Sequence, residues 1–421
     1  MPGTTEAPKP LPAWFVLVAL ACTGVYATTF AGRTPIWSRL NAVAFADSVD
    51  YVRLLDNGHY RACIAGATHP RQAEHQRKTI HHVLHLAVAE TLARSLSALP
   101  GLDPPTAVWL VSPIVGGVNV LLAAAFFRRS ISSSRLAWAC ALVFPFLPGT
   151  WVYASIPESW ALSTTAVLLI ANLRVRRWPA ILIGPLIGVL ALSNFLLLLT
   201  VPLAVQADAP GRWLRELIVA GLTAVAAWVA ALTVLGLTMS PAFFPLPFLV
   251  ATFAFKSGFT ENLPLLHPAR WAYNGANVLA LPFVLNQQVL NFGRMAILDS
   301  AMRLPLGTAA VAALGAAWLG ALAEIMRRVR AASLAVTLRD ASLDGELVYL
   351  ALAFVATGVA LYYESFLYAT MMTPILLAVL ARASERLGPP GWLVWTVVAV
   401  WVLNAAQQIA TFRSLLDQSS G

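Results

Sequence analysis

Residues 106–129 read TAVWLVSPIVGGVNVLLAAAFFRR, a predominantly apolar run that ends on Arg128 and Arg129. The hydrocarbon core of a bilayer is about 30 Å thick and takes roughly 20 apolar residues of helix, and short arginine-rich loops stay on the cytoplasmic side. The run reads as a membrane span over 106–127 with the arginines that follow it in the cytoplasm. Comparable stretches lie at 12–30, 136–153, 157–173, 179–207, 214–238, 306–326, 346–363, 366–384 and 391–410. Together they predict an all-α polytopic membrane protein of about 10–12 transmembrane helices, organised as one membrane domain over residues 1–421.

Composition agrees with that reading. Of 421 residues, 59% are hydrophobic and 11% charged, outside the range of soluble chains. The net charge of +9 is carried almost wholly by arginine, with lysine only at Lys9, Lys78 and Lys256. The arginines fall between apolar stretches: Arg128, Arg129 and Arg135; Arg174, Arg176 and Arg177; Arg212 and Arg215; Arg327, Arg328, Arg330 and Arg339; Arg382 and Arg386. Such clusters follow the positive-inside rule, and no nucleic-acid partner is expected. Cys22 and Cys140 lie in apolar stretches and Cys63 in a polar loop, so neither a disulfide nor a cysteine metal site is expected. Residues 12–30 read as a retained signal anchor.

Parity of the arginine clusters constrains the rest. If 12–30 exits the cytoplasm, residues 31–105 form a first outer loop with interfacial helices, and 239–305 a second, rich in Pro and Phe over Pro241–Phe248. A full crossing by 79–98 would put Arg128 and Arg129 on the wrong face. That segment carries His81, His82, His85, Glu90 and Arg94, too polar for a lipid-exposed helix, and is expected at the outer face or lining a cavity. Segment 276–290 is expected to be re-entrant or interfacial for the same reason. Within 179–207, Gly188, Ser193, Asn194 and Pro202 predict two short helices that meet near Asn194.

Acids at membrane depth are costly and mark candidate functional positions. The first outer loop holds Asp47, Asp50 and Asp56 in a short amphipathic pattern that stops at Gly58. Asp47 suits either an N-cap or a general base at the water–lipid boundary. Five of the seven histidines fall between His69 and His85. His81 and His85 share a helix face, but no H-E-x-x-H motif is present, so no metal is expected and the histidines are assigned to phosphate or sugar contact. Glu158, in Ile156-Pro157-Glu158-Ser159-Trp160, suits a helix N-terminus as well as a site. Glu364, in Tyr362-Tyr363-Glu364-Ser365-Phe366, suits an interfacial turn or, with its tyrosines, a sugar platform. No phosphate-binding G-x-x-x-x-G-K-S/T loop and no G-x-S-x-G elbow occurs.

In arrangement the chain resembles the GT-C superfamily of membrane glycosyltransferases, which includes protein O-mannosyltransferases, lipid A aminoarabinose transferases and bacterial lipopolysaccharide glycosyltransferases. Asp47, Tyr51 and Leu54 match a D-x-x-x-Y-x-x-L pattern in the first outer loop, and His81-His82-Val83-Leu84-His85 looks like the polar entry to the next helix. Trp151 to Glu158 resembles an aromatic-then-acid segment at a later outer end. Gly188 to Asn194 resembles a broken helix, with Asn194 where aminoarabinose transferases often carry lysine. The resemblance covers about the first 240 residues.

It implies a polyprenyl-phosphate-sugar-dependent glycosyltransferase of a bacterial plasma membrane, inverting, with its site on the outer face. Asp47 would be the catalytic base and Asp50 the second choice. His81, His82, His85, Glu158, Arg270 and Glu364 would bind substrate, with Arg294 and Arg303 as further basic candidates. Expected partners are a lipid-linked sugar donor, a glycan, lipid or protein acceptor, and membrane lipid; no cofactor is expected. The rival readings are a transporter or flippase of lipid-linked sugar, against which the absence of paired repeats counts, and a noncatalytic membrane assembly subunit.

Overall fold

The central helix grows from the stretch quoted above. It runs from Pro104 to Ser130, with prolines in its first turn, where an amide is unsatisfied in any case, and it ends where Ile131 turns extended while still bonding the carbonyl of Phe127. The computed structural model describes residues 10–29, 83–156, 160–175, 181–185, 210–238, 244–247, 266–279, 305–331, 350, 353–355, 357–358, 365–385 and 387–418. In chain order the helices are α1 (Ala13–Thr29), α2 (Val83–Ser97), α3 (Pro104–Ser130), α4 (Ser134–Val143), α5 (Pro148–Ser155), α6 (Trp160–Val175), α7 (Pro210–Thr238), α8 (Pro268–Leu279), α9 (Pro305–Ala331), α10 (Ser365–Glu385) and α11 (Gly391–Gln418). Among the described residues there is no strand. The protein is an all-α polytopic membrane protein.

Among the described residues, three helices are long and apolar enough to cross a membrane: Thr106–Ser130, Arg215–Val234 and Gly391–Ala410. The bent pair Ser134–Phe146 and Pro148–Ser155, angled at 45°, has the same length and apolar character when its two helices are taken together. The span in α3 is 67% buried and the one in α7 only 17%, so α3 forms the centre of the bundle and α7 faces its surroundings. Around α3 pack α1, α2, α5 and α6.

The bend corrects one expectation. Residues 136–153 read as a single helix, yet the chain breaks into α4, a short 3-10 turn (Phe144–Phe146) and α5. Pro145 and Pro148 remove amides, and the freed carbonyl of Pro145 accepts a 2.7 Å hydrogen bond from the Tyr26 hydroxyl of α1. A broken helix persists at membrane depth because a neighbour satisfies its backbone.

Close approach at this point depends on glycine. A Cβ on Gly116 would come within 2.5 Å of the Ala154 methyl and 3.0 Å of the Tyr26 ring, and one on Gly117 would collide with the Thr23 hydroxyl. Without a hydrophobic drive between helices in lipid, such small-residue contacts and interhelical polar bonds set the packing. The polar bonds are explicit: Asn119 Nδ2 donates to the carbonyl of Ala161 at 2.8 Å, and Thr165 Oγ1 donates to Asn119 Oδ1 at 2.7 Å.

One end of the bundle collects arginines. Arg129 Nη1 donates to Asn172 Oδ1 at 2.5 Å, Arg128 stacks 5.1 Å from the Trp138 ring, and Arg382 Nε donates to the Ser130 carbonyl at 2.5 Å. Nearby, the Ser133 amide donates to the Glu385 carboxylate. Arginine at the end of α3 and a carboxylate at the start of α4 each meet the favourable end of a helix dipole. The clusters at Arg128, Arg129, Arg135 and Arg382 thus share one face. Residues 181–185 are helical, and the expected interruption near Asn194 lies outside the described residues.

Candidate functional site

Helix lengths, measured from the arginine face, shape the opposite end. Pro104 stands twenty-six residues before Ser130, about 39 Å along α3. Trp160 stands only twelve residues before Asn172, about 18 Å along α6, and Ser365 seventeen before Arg382, about 25 Å along α10. The starts of α6 and α10 are therefore recessed below the start of α3. Ala154 opposite Gly116 and the Asn119–Ala161 bond place the α5–α6 junction at the same mid-depth of α3.

α2 packs along the upper half of α3 through Ala89 and Ala93, in one apolar cluster with Val108, Val111, Val115 and Ala161. Its 15 described residues rise about 22 Å. A tight turn joins it to α3, with Gly101 at φ +83°, a left-handed conformation that favours glycine. Because the C-terminus of α2 meets the start of α3, the other end of α2, with His85 in its first turn, points toward the recess. Beside it α1 ends with the carbonyl of Ala27 accepting from Trp109 Nε1 at 3.3 Å.

The other flank is α8, a short amphipathic helix that begins at Pro268, ahead of the expected segment 276–290, of which only residues to Leu279 are described. The exposed His267 starts it, its Nδ1 accepting from the Ala269 amide and its carbonyl from the Arg270 amide. Arg270, Asn274 and Val278 are buried at four-residue spacing, so one polar pair lies on the packed face. Arg270 Nε donates to the carbonyl of Gly358 at 2.6 Å, and Asn274 Nδ2 to that of Phe354 at 2.9 Å. Trp271 stacks on Phe354 with ring centroids 5.8 Å apart and lies over Gly358, where a Cβ would collide with its ring. α8 is thereby fixed against residues 353–358 and against α10.

Of the residues singled out from sequence, Arg270 is the one whose side-chain environment is described. His85 lies in α2. Asp47, Asp50, His81, His82, Glu158, Glu364, Arg294 and Arg303 lie outside the described residues. Their flanking helix ends are informative all the same: Glu158 precedes Trp160 by two residues, and Glu364 directly precedes Ser365 and follows Gly358, the partner of Arg270, by six. Asn274 was missed, although its place one helical turn from Arg270 signals a shared face. Its Oδ1 is buried without a hydrogen-bond partner among the described residues. Among the described residues no group of three or more His, Cys, Asp or Glu side chains could hold a metal ion.

Comparison with protein-family models and with curated proteins finds no match. Among solved structures, the chain is similar to the archaeal oligosaccharyltransferase AglB from Archaeoglobus fulgidus in complex with an inhibitory peptide and a dolichol-phosphate. The two share 13% sequence identity with a TM-score of 0.41, over 97% of this chain and 56% of that one. The chain thus spans about half the length of that protein.

Proposed function

We propose that this protein is a glycosyltransferase that moves a sugar from a polyprenyl-phosphate donor to an acceptor in the recess opposite the arginine face, with inversion at the anomeric carbon. The observation that carries the reading is that the described starts of α6 and α10 stand lower along α3 than Pro104 does. In this reading the segments that carry Asp47, Glu158 and Glu364, which adjoin the ends of α1, α6 and α10 away from the arginine face, gather with Arg270. Acids are not retained at membrane depth without a role, and a phosphate leaving group calls for a buried guanidinium close by.

In this reading the Asp47 carboxylate accepts the proton of an acceptor hydroxyl as its oxygen bonds to the anomeric carbon. The bond from that carbon to the phosphate oxygen breaks, and the lipid phosphate leaves carrying the electron pair. Asp50 is the alternative base. Arg270 steadies the phosphate, while Glu158, Glu364 and the histidines at 81, 82 and 85 hold sugar hydroxyls. In this reading a lipid-linked donor and a glycan, lipid or protein acceptor meet beside α1 and α2. The site would face the outside of a bacterial plasma membrane.

The test is reconstitution of the full chain with polyprenyl-phosphate sugars and a lipid-linked sugar profile of a deletion strain. Transfer is expected from the wild type and its loss from Asp47→Asn with unchanged expression. Transfer retained in both Asp47→Asn and Asp50→Asn would remove the base assignment. Accumulation of donor on the arginine side of a deletion strain's membrane would favour the flippase reading instead.

A further inference from the structure

Away from the recess, at the arginine face, α4, α9, α10 and α11 surround an apolar cavity of about 350 Å3. Its walls include Leu136 and Cys140 of α4, Ala317 of α9, Leu380 of α10, and Val394 and Trp401 of α11. Among its lining residues Ala316 and Leu393 are exposed, so the cavity reaches the surface between the apolar helices α9 and α11. A lining this apolar gives water no partners, and a void this large would leave its walls without packing contacts.

The mouth carries a charge. Arg135 is exposed in the first turn of α4, next to the cavity-lining Leu136, and its guanidinium lies 2.9 Å from where a Cβ on Gly391 would stand, at the start of α11. Among the described residues Arg135 has no hydrogen-bond or ion-pair partner, whereas Arg128, Arg129 and Arg382 of the same face are engaged. Glu385, at this corner, has its carboxylate held by the Ser133 amide. Trp392 and Trp395 are exposed on the flank of α11, as aromatic side chains are at a membrane interface.

We infer that this cavity is a binding site for an anionic phospholipid of the leaflet on the arginine side, with one acyl chain between α9 and α11 and its phosphate against Arg135. An acyl chain fills an apolar space that water leaves dry, and a guanidinium at the mouth selects a headgroup of net negative charge. The site is independent of the proposed transfer reaction, from which it is separated by the depth of the bundle.

Native mass spectrometry of the full chain, released from vesicles of phosphatidylglycerol and phosphatidylcholine in equal amounts, tests the inference. The wild type is expected to retain phosphatidylglycerol in preference to phosphatidylcholine. Arg135→Gln should weaken retained phosphatidylglycerol by about tenfold, the loss of one charge-assisted bond. Ala317→Phe, which fills the cavity, should abolish retention of both lipids; if it lowers helix content by circular dichroism, Ala313→Leu on the same wall replaces it. A wild type that carries only detergent, or that keeps both lipids equally in all variants, overturns the site.

Discussion

Arg382 and Ser130, 252 residues apart in the chain, meet at the arginine face, where the buried Arg382 Nε donates to the Ser130 carbonyl at 2.5 Å. The carbonyl lies in the last turn of α3, where backbone acceptors have no partner within the helix and the dipole is negative. The bond ties the centre of the bundle to α10. Arg382→Ala should cost about 2 kcal/mol, the range for a hydrogen bond to a charged group. Thermal unfolding in detergent measures it, and a change below about 0.5 kcal/mol would show that the contact contributes little.

Glycine in α3 is predicted to be indispensable at the crossing with α1 and α5. Gly116→Val meets Ala154 and the Tyr26 ring and should destabilise by about 1–3 kcal/mol. Gly221→Ala in α7 has open space around the added methyl and should be neutral or stabilising. Equal effects of the two substitutions on unfolding temperature would contradict this packing.

Asn119 binds both Ala161 and Thr165 of α6 and so holds the floor of the recess at its depth. Asn119→Ala should cost about 0.6 kcal/mol and at most about 1.7, the range for polar bonds between membrane helices. If the recess serves transfer, the same variant lowers the transfer rate more than its small stability loss accounts for. The two are separated by assaying well below the unfolding temperature.

Arg270 should resist replacement by lysine. Its planar fork donates from Nε to Gly358 while the side chain stays 6% exposed, a geometry a single ammonium does not reproduce. Arg270→Lys is expected to loosen α8 and raise the KM for a polyprenyl-phosphate donor, with Arg270→Ala worse. Wild-type KM in the lysine variant would leave Arg270 without a role in donor binding.

Cysteine accessibility probes the shared face. In a background with Cys22, Cys63 and Cys140 replaced, single cysteines at positions 47, 158 and 364 should react with a membrane-impermeant reagent from one side, and a cysteine at position 135 from the other. Labelling of position 158 or 364 from the side of position 135 would dismantle the proposed recess.

By itself, the sequence determined where apolar helices lie and which ends bear arginine. The expected 106–127, 12–30 and 366–384 correspond to α3, α1 and α10 with small shifts at the ends, because the apolar run required to bury a helix in lipid is written locally. It also marked Glu158 and Glu364 as acids beside apolar segments, and Arg270 as a basic group of the second outer loop. Only the tertiary structure decided the depth of the α5–α6 junction, the break at Pro145 and the partner of Arg270. Each depends on groups far apart in the chain: Tyr26 supplies the hydroxyl for Pro145, Gly116 admits Ala154, and Gly358 offers its carbonyl to Arg270. Hydropathy reports the preference of a segment for lipid over water. It carries no information on which neighbour satisfies a backbone carbonyl or how far one helix stands above another.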